Sequence, residues 1–378
     1  QRHSTSSATI RVSAPDAAVL AELMVQLIDL GAEAVEAEER DACLISVDRD
    51  GVAPEDFYVS TIYPTEVRLD GRWWPVSRQR MDGALVVRFS RESGAGAIAV
   101  VECRLLRDLR AGDQVVVGVE GLRTQRRRAA RETQDGDFAF MGAGVSSERR
   151  VELVVEQIAW EWRRLRERQA RVVVVAGPVV IHTGAGAHLS WLVREGYVQA
   201  LLGGNAIAVH DVEQALMGTS LGVDLQQGVA VHGGHRHHLK AINTIRRCGG
   251  LAAAVRQGVL QQGIFHACVQ RQVPFVLAGS IRDDGPLPDT EMDLIAAQTA
   301  YANALQGAEM VLMLSSMLHS IGVGNMTPAG VRLVCVDINP GVVTKLSDRG
   351  SLESVGVVTD VGLFLSLLVR QLQRLEAA

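Results

Sequence analysis

The chain has 378 residues, with 38 Lys and Arg against 43 Asp and Glu and a formal net charge of −5. This length is enough for two or three domains. The weak negative charge offers no general attraction to nucleic acid or to an anionic membrane, and 4% aromatic residues argue against stacking platforms for single strands. Glycine is unusually frequent, with 37 residues against a common share of about 7%. Such a surplus indicates tight turns or close approach of the backbone to a ligand.

The five cysteines stand singly and form no CxxC pair. Such a set fits a reducing compartment better than a disulfide framework or a zinc ribbon. No apolar run reaches the roughly 20 residues needed to cross a bilayer, and no signal peptide is visible. The sequence therefore predicts a cytoplasmic protein that binds neither membrane nor nucleic acid.

Residues 1–122 are predicted to form a smaller, β-rich α+β domain. Ala8–Val12 and Cys43–Val47 have the apolar character of strands, and Asp16–Leu30 between them carries apolar residues at helical spacing. Short β segments separated by Asp-Gly and Gly-Asp turns follow. These segments are Tyr58–Ile62, Glu66–Leu69, Trp73–Val76, Ala84–Phe89, Ala97–Leu105 and Gln114–Gly118.

A connector is predicted over residues 123–170. It begins with the arginine run Arg123–Arg131, which we interpret as a solvated connector or a subunit contact in preference to a nucleic-acid site. Residues 151–168 have the amphipathic pattern of a charged helix. The remaining residues, 171–378, are predicted to be a separate α/β domain.

Residues 171–378 are predicted to form a doubly wound parallel sheet. Runs of Val, Ile and Leu recur, and each ends in Gly, Ser, Asn or Asp, as parallel strands covered on both faces do. The predicted strands are Arg171–Ala176, Ala206–His210, Pro274–Leu277, Met310–Leu314, Val331–Val336 and Gly356–Val358. Ligands of such sheets bind beyond the carboxyl ends of the strands, at a switch point, so the residues after each strand are candidates for a site.

Small, polar and acidic residues follow these strands. The segment HTGAG (182–186) contains a G-x-G element that lets the backbone approach a pyrophosphate at a helix N-terminus. Asp211 and Asp337 are of the type that holds ribose hydroxyls, although Asp211 is also placed to cap a helix beginning at Val212. The predicted cofactor contacts are Thr183, Gly184, Gly186, Gly204, Asn205, Asp211, Gly233, Gly234, Asp337, Asn339 and Asp360. Together they favour a nucleotide or dinucleotide along the edge of the sheet.

The segment HGGHRHH (232–238) holds four of the ten histidines. A metal site is one interpretation. No Cys or HExxH pattern accompanies it, which favours a glycine nest where Arg236 and a histidine such as His235 contact an anion or a substrate carboxylate. Lys240 lies one turn further along. We predict no metal.

A charged loop follows the strand that ends near Leu277. It contains Arg282, Asp283 and Asp284 between glycines and prolines. Neighbouring carboxylates raise each other's pKa when both are desolvated, which suits general acid–base chemistry.

Ten longer segments, taken together, carry a resemblance to a known family. In the C-terminal half they are HTGAG (182–186), GTSLGVD (218–224), GGHRHHL (233–239), AGSIRDDGPLPD (278–289), MLHSIGVGN (317–325) and VDINP (336–340). In the N-terminal half they are DFYVSTIYPTEV (56–67), RMDGALVV (80–87), CRLLRDLRAGDQVVVG (103–118) and DFAFMGAGVSSER (137–149). With them the chain resembles, over nearly its whole length, the archaeal and cyanobacterial ornithine cyclodeaminase family, which contains the LOR/SDH bifunctional enzyme conserved region. The resemblance implies a Rossmann-like, deoxyhypusine-synthase-like C-terminal domain, NAD as cofactor and a homo-oligomer.

The resemblance also implies conversion of L-ornithine to L-proline and ammonia, with hydride passing to bound NAD+ and back. This chemistry needs a base for the substrate ammonium and a clamp for its α-carboxylate. We expect Asp283 or Asp284 to be the base, with His235 as second choice. The expected clamp is Arg236 or Arg282, and Lys240 is a further carboxylate partner or acid–base group.

Two other functions stay open. An NAD(P)-dependent amino-acid or saccharopine-type dehydrogenase would accumulate reduced cofactor with each turnover. A noncatalytic nucleotide-binding regulator would bind its ligand without turnover. The acidic strand end at Asp337 favours NAD over NADP, because it suits a free ribose 2′-hydroxyl.

Overall fold

The computed structural model describes residues 27, 40–90, 98–124, 151–224, 229, 231, 234–283, 285–347 and 354–377. The chain divides into two compact units, residues 1–133 and 134–378. The predicted strand Ala8–Val12 lies outside the described residues, as does the predicted helix Asp16–Leu30 apart from the helical Leu27. Residues 125–131 of the arginine run also lie outside them. The domain boundaries at residues 122 and 170 stay predictions.

The N-terminal unit contains a mixed sheet. Its strands are β1 (Cys43–Ser46), β2 (Thr65–Leu69), β3 (Arg72–Ser77), β4 (Ala84–Ser90), β5 (Ile98–Arg104), β6 (Gln114–Val117) and β7 (Leu122–Thr124), in the order β1-β6-β4-β5-β3-β2-β7. The neighbours are antiparallel except β3 and β5. Asp70 and Gly71 turn between β2 and β3 with φ values of 49° and 74°, as the Asp-Gly pair predicts.

The prediction of a strand over Tyr58–Ile62 was wrong. Within this segment the structure has one isolated bridge, from Val59 to Ala84. Ser60 uses its hydrogen bonds to hold the turn before β4, because its N–H donates to Gly83 O at 2.8 Å and its hydroxyl accepts the Gly83 N–H at 2.9 Å. One main-chain bond and one side-chain bond thus take the place of a continuous ladder. The strand β7 was not predicted.

The C-terminal unit begins with the helix Val151–Glu167, which confirms the amphipathic pattern predicted there. Its buried residues, including Val155, Ile158, Trp162 and Leu165, recur at three- and four-residue spacing. The Trp162 indole N–H donates to Tyr197 O at 2.9 Å, so the largest buried side chain of this helix leaves no polar atom unpaired.

A parallel sheet forms the centre of this unit, as predicted. Its strands, with a short hairpin, are β8 (Arg171–Ala176), β9 (Ala200–Gly204), β10 (Thr219–Ser220), β11 (Val223–Asp224), β12 (Phe275–Ala278), β13 (Thr290–Glu291), β14 (Ala308–Leu314), β15 (Arg332–Asp337) and β16 (Ser354–Val358). The sheet order is β13-β12-β9-β8-β14-β15-β16, and β10 and β11 pair apart from it. From β12 to β16 this is the 3-2-1-4-5-6 order of the Rossmann fold.

Helices cover both faces of this sheet. They are α1 (Val151–Glu167), α2 (Val179–His182), α3 (Gly186–Arg194), α4 (Asn205–Met217), α5 (His237–Cys248), α6 (Leu251–Arg256), α7 (Ile264–Gln270), α8 (Leu294–Ala304), α9 (Met317–Met326), α10 (Pro340–Ser347) and α11 (Val361–Ala377). Alternate residues of β8 enter different cores, Val172 and Val174 on one face and Val173 and Val175 on the other. Among the described helices none is long and apolar enough to cross a membrane. All five cysteines are free thiols.

The prediction of a strand over Ala206–His210 was wrong. The strand is β9, and α4 begins directly after it at Asn205. A short apolar run next to glycines suits a buried strand or a buried helix equally. Here Ile207, Ala208 and Val209 are all buried, so the first turns of α4 have no exposed face whose polar residues would reveal the helical period.

Candidate functional site

The carboxyl ends of β8 and β14 form the switch point of the C-terminal sheet, because β8 has β9 on one side and β14 on the other. Gly177 follows β8 and Ser315 follows β14. A Cβ on Gly177 would lie 2.2 Å from the Ser315 carbonyl oxygen. Only glycine therefore lets the two strand ends come this close. They are the expected floor of the crevice in which doubly wound sheets bind their ligands.

His319 of α9 stands beside this floor. Its Nδ1 lies 2.8 Å from Ser316 Oγ, and a Cβ on Gly204 would lie 2.9 Å from its Cε1. Burial lowers the pKa of His319, while the negative charge of Asp283 acts in the opposite direction. His319 is therefore a neutral imidazole near pH 7 at the edge of the crevice. It lies within one of the quoted motifs, but was not among the predicted site residues.

The charged loop after β12 brings Asp283 towards the crevice. Asp283 Oδ2 accepts the Ser280 N–H at 2.8 Å, and the Arg282 N–H donates to Ser280 Oγ at 3.0 Å, so the loop is closed on itself. The Arg282 side chain is exposed. Asp284 lies outside the described residues. Asp283, one of the predicted catalytic residues, is close enough to His319 for its negative charge to act on the pKa of that histidine.

The glycine segment 182–186 follows β8 as predicted. The Thr183 hydroxyl donates to Val179 O at 2.9 Å. Gly184 has a φ of 77°, and no atom lies within 4 Å of the position of a Cβ there. Gly186 opens α3, whose first turn leaves backbone N–H groups without acceptors inside the helix. A Cβ on Gly362 would lie 3.0 Å from Thr183 Cβ, so the segments after β8 and β16 touch.

Asn205 is buried at the start of α4, directly after β9. Its Oδ1 accepts two hydrogen bonds at 3.0 Å, from the Leu287 N–H and the Thr290 hydroxyl. The side-chain oxygen therefore holds the segment between β12 and β13. The amide nitrogen is the part of this side chain that remains for a ligand.

The interpretation of Asp211 as a strand-end carboxylate was wrong, because Asp211 lies inside α4. Its two oxygens accept the Ile264 N–H at 2.9 Å and the Phe265 N–H at 3.0 Å. It thus caps α7, whereas the capping alternative placed it on a helix beginning at Val212. Burial raises the pKa of Asp211 to about 6 although these two N–H groups act to lower it. A Cβ on Gly263 would lie 2.7 Å from Asp211 Oδ2, so glycine is needed there.

Asp337, Asn339 and Asp360 lie at or just beyond the carboxyl ends of β15 and β16, where the sequence placed them. Asp337 Oδ1 accepts the Asn339 N–H at 2.8 Å, and Asn339 Oδ1 accepts the Gly341 N–H at 2.9 Å. Asp360 Oδ1 accepts the Leu363 N–H at 2.8 Å. Asn339 and Asp360 thus each use one oxygen to start the helix that follows, whereas Asp337 holds the turn before α10.

The histidine- and glycine-rich segment lies between β11 and α5. Gly233 and the side chain of His235 lie outside the described residues. A Cβ on Gly234 would lie 2.4 Å from Gly222 O, so close packing of two backbones explains this glycine without a ligand. Two predicted residues of the segment have exposed side chains, Arg236 and Lys240.

A cluster of polar side chains, which we call the histidine–glutamate cluster, lies behind the glycine segment. Its members come from α2, α4, the β10–β11 hairpin and α5, and they are His182, His210, Glu213, Thr219, Ser220 and His237. None of them was among the predicted site residues. Three of the quoted motifs contribute to the cluster, through residues 182, 219–220 and 237.

Glu213 is the centre of this cluster and has no exposed surface. Its Oε2 accepts from His210 Nδ1 at 2.9 Å and from the Leu221 N–H at 3.2 Å. Its Oε1 accepts from the Thr219 hydroxyl at 3.0 Å and from the Gly222 N–H at 2.9 Å. Burial alone would raise the pKa of Glu213, but the hydrogen bonds from His210, Gly222 and Thr219 outweigh it and hold the pKa below its usual value. Glu213 is therefore a buried carboxylate.

His182 connects the cluster to the glycine segment. Its Nδ1 lies 2.7 Å from Ser220 Oγ, and its ring centroid lies 4.8 Å from that of His210 in an edge-on arrangement. Burial, followed by the charge of His210, lowers the pKa of His182 to about 4. This imidazole is neutral at pH 7.

Helical spacing is the signal that would have revealed part of this cluster. His210 and Glu213 are three residues apart, which places them on one face of a helix but on opposite faces of a strand. The strand predicted over Ala206–His210 therefore hid the pair. The contacts of His182 and His237 join segments far apart in the chain and carry no local signal.

Three family descriptions match consecutive parts of the chain. Residues 1–63 match the LOR/SDH bifunctional enzyme conserved region. Residues 64–155 match the first C-terminal region of arginine dihydrolase ArgZ-like proteins, and residues 156–368 match the C-terminal Rossmann fold of the same proteins.

Curated relatives match the chain along its length. The bifunctional arginine dihydrolase/ornithine cyclodeaminase AgrE of Nostoc sp. is 66% identical over all of this chain and 53% of its own length. The ornithine cyclodeaminase of Methanocaldococcus jannaschii is 48% identical over 98% of this chain and 86% of its own. The chain thus spans about half the length of the cyanobacterial relative and most of the archaeal one.

Solved structures are similar as well. A conserved LOR/SDH protein of Methanococcus maripaludis has a TM-score of 0.82 and 41% identity, covering 91% of this chain and 100% of that one. The ternary complex of AgrE with ornithine and NAD+ has a TM-score of 0.60 and 64% identity, covering 96% of this chain and 50% of that one.

Proposed function

The chain belongs to the family of the C-terminal region of ArgZ-like arginine dihydrolases and archaeal ornithine cyclodeaminases, and we propose that it converts L-ornithine to L-proline and ammonia with NAD as its cofactor. One observation carries the proposal. Archaeal proteins that are 42–48% identical over nearly the whole chain are named ornithine cyclodeaminase, and the chain spans 86–88% of their length. The complex of AgrE with ornithine and NAD+ supports the choice of substrate and cofactor.

The crevice at the switch point fits a dinucleotide. Gly177 places no side chain between the ends of β8 and β14. At Gly184 no atom lies within 4 Å of a Cβ position, so the backbone there is open. The N-terminus of α3 supplies the N–H groups that favour a pyrophosphate. The residues proposed to hold NAD are Thr183, Gly184, Gly186, Gly204, Asn205, Gly233, Gly234, Asp337, Asn339 and Asp360. When bound, NAD+ accepts a hydride from the substrate carbon and later returns it.

The substrate carries two ammonium groups, and the reaction needs a proton acceptor for each of them. The α-ammonium must lose a proton before its carbon gives up hydride, and the δ-ammonium must lose one before its nitrogen attacks. We propose Asp283, next to His319, as the acceptor for one amine. The other proposed acid–base and carboxylate-binding residues are Asp284, His235, Arg236, Lys240 and Arg282.

One assay tests the function. Purified protein is incubated with L-ornithine and NAD+, and proline, ammonia and NADH are all measured. The proposal expects equal amounts of proline and ammonia, with no NADH beyond one equivalent of enzyme. NADH rising with each turnover would favour a dehydrogenase, and ligand binding without any product would favour a regulator. Light scattering of the same sample checks the expected homo-oligomer.

A further inference from the structure

The histidine–glutamate cluster has an arrangement that packing alone does not require. It brings three imidazoles and a buried carboxylate together directly behind the segment that follows the central strand β8. A buried carboxylate is costly unless hydrogen bonds compensate it fully. Glu213 has this compensation from four donors, so the cluster is built around a permanent negative charge.

Counting protons assigns the tautomers of two histidines. Glu213 accepts from Thr219, Leu221 and Gly222 and its pKa lies below the usual value, so at neutral pH it is a carboxylate with no proton to give. The 2.9 Å contact with His210 Nδ1 therefore uses the N–H of His210. Thr219 has a single hydroxyl proton, which it gives to Glu213. The contact of 2.8 Å between Thr219 Oγ1 and His237 Nδ1 therefore uses a proton of His237. In their neutral forms, both imidazoles then carry their lone pair on Nε2.

These Nε2 atoms are not used by the protein. In the described part of the chain, no hydrogen bond engages Nε2 of His182, His210 or His237, and none of these nitrogens is both unpartnered and sealed from solvent. The described residues also contain no group of three or more His, Cys, Asp or Glu arranged to hold a metal. Imidazole lone pairs next to a negative charge, without a metal, suit a ligand that donates protons and carries positive charge. An alkyl ammonium group has both properties.

We propose that His210 accepts the proton of one ammonium group of the amino-acid substrate, and that Glu213 is the positioning residue which orients His210 and stabilises its charged form. The proposal rests on the proposed function, since it supplies the second of the two proton acceptors. The N–H bond of the substrate breaks, its proton moves to His210 Nε2, and the free amine keeps the electron pair. His210 later returns this proton to the departing ammonia, so no proton is gained or lost overall.

Charged and polar groups from several elements lie around His210. Glu213 on its own helix provides the negative charge, and α2 provides the neutral His182. The hairpin presents the Thr219 hydroxyl to Glu213 and the Ser220 hydroxyl to His182, and His237 of α5 contacts Thr219. Helix α7 bonds to α4 through Asp211 instead.

The substitution His210→Asn tests the proposal. The Asn side-chain nitrogen takes the position of Nδ1 and can still donate to Glu213, while the basic Nε2 is lost. General base catalysis contributes roughly 100- to 10,000-fold, so we expect kcat/KM for ornithine to fall at least about 100-fold, mainly in kcat. The matched control is His266→Asn on α7, a partly buried histidine whose pKa is also lowered by burial. This control should retain the wild-type rate. Turnover of His210→Asn within about threefold of wild type would overturn the proposal.

A second variant tests the role of Glu213 separately. Glu213→Gln removes the negative charge beside His210, and we expect kcat/KM for ornithine to fall. Nitrogen-15 spectra of histidine-labelled protein give a readout independent of activity, in which wild type shows a protonated Nδ1 on His210 and the variant loses this preference. An Nε2-protonated His210 in wild type would overturn the proposal even if ornithine is turned over. A wild-type protein that forms no proline would instead contradict the proposed function and the inference with it.

Discussion

Asp211 and Glu213 are carboxylates two residues apart on one helix, and their surroundings shift their pKa values in opposite directions. Both are completely or almost completely buried. Asp211 accepts two backbone N–H groups, which leave the desolvation penalty dominant and the pKa raised to about 6. Glu213 has four donors, including His210, and its pKa is lowered. The larger number of hydrogen-bond donors to Glu213 is one reason why its pKa moves down while that of Asp211 moves up.

The raised pKa of Asp211 predicts a pH-dependent contribution to stability. Because its folded pKa of about 6 exceeds the usual 3.8, the contribution is complete below about pH 4 and is lost as pH rises through 6. Asp211→Asn does not titrate. The free energy of unfolding of wild type relative to this variant should therefore fall by about 3 kcal/mol between pH 4 and pH 7. Urea unfolding of both proteins across this range measures it, and a constant difference would contradict the assigned pKa.

Gly177 gives a prediction at the floor of the crevice. A Cβ there would lie 2.2 Å from the Ser315 carbonyl oxygen. Gly177→Ala should push the ends of β8 and β14 apart and cost about 1–3 kcal/mol or more of stability. Gly322→Ala is the matched control, because no atom lies within 4 Å of its Cβ position and its φ is not positive. Within α9 this change should stabilise by about 0.5–1 kcal/mol. Thermal unfolding compares the two, and equal midpoints would show that the strand ends relax freely.

At the scale of elements, the strands were predicted better than the helices between them. The first and last strands of this sheet in sequence, β8 and β16, are apolar runs closed by small or polar residues, and their type follows from composition. The helix α4 has no exposed face over its first turns, so its period cannot be seen in the sequence. The mistaken strand placed Asp211 at the sheet edge and separated His210 from Glu213. One error of element type thus changed the candidate site.

Helix α6 provides a prediction about a cap contributed from a distance. The Leu251 N–H, in the first turn of α6, donates to Asp289 Oδ2 at 2.9 Å, across 38 residues of sequence. Asp289→Ala removes this acceptor and should cost about 1 kcal/mol. Asp289→Asn keeps an oxygen at the same position and should lose less. Chemical unfolding of the three proteins tests the order, and an alanine variant as stable as wild type would show that water replaces the cap.

At the scale of the whole molecule, the order of the strands brings residues that are scattered in the sequence to one edge of the C-terminal sheet. Gly177 after β8 and Asp360 after β16 are 183 positions apart in sequence, yet the parallel sheet aligns the carboxyl ends of these strands. The contact between Thr183 and Gly362 shows this, since it joins the first and last strands of the C-terminal unit. A ligand bound along this edge should therefore stabilise the sheet as one body.

NAD+ binding tests this expectation. A ligand that binds only the folded protein at 100 times its Kd adds about 2.7 kcal/mol to the free energy of unfolding. NAD+ should raise the thermal midpoint in proportion to the logarithm of its concentration. NADP+ should raise it less if Asp337 holds the ribose as proposed, because its carboxylate would repel a 2′-phosphate. Differential scanning calorimetry measures both. An equal shift with NADP+ would remove the proposed role of Asp337 at the ribose, and no shift with NAD+ would contradict the cofactor.

The sequence by itself determined the parallel-sheet class of the C-terminal half, the strand ends that carry Gly177, Asp337 and Asp360, and the family. These follow from local runs of apolar residues and from contiguous motifs, which need no knowledge of distant contacts. Only the tertiary structure decided that Asp211 caps a helix 53 residues away in sequence and that His182 and His237 join the cluster around Glu213. The physical reason is that a buried carboxylate is compensated by donors brought from any part of the chain, and their spacing in sequence bears no relation to their distance in space.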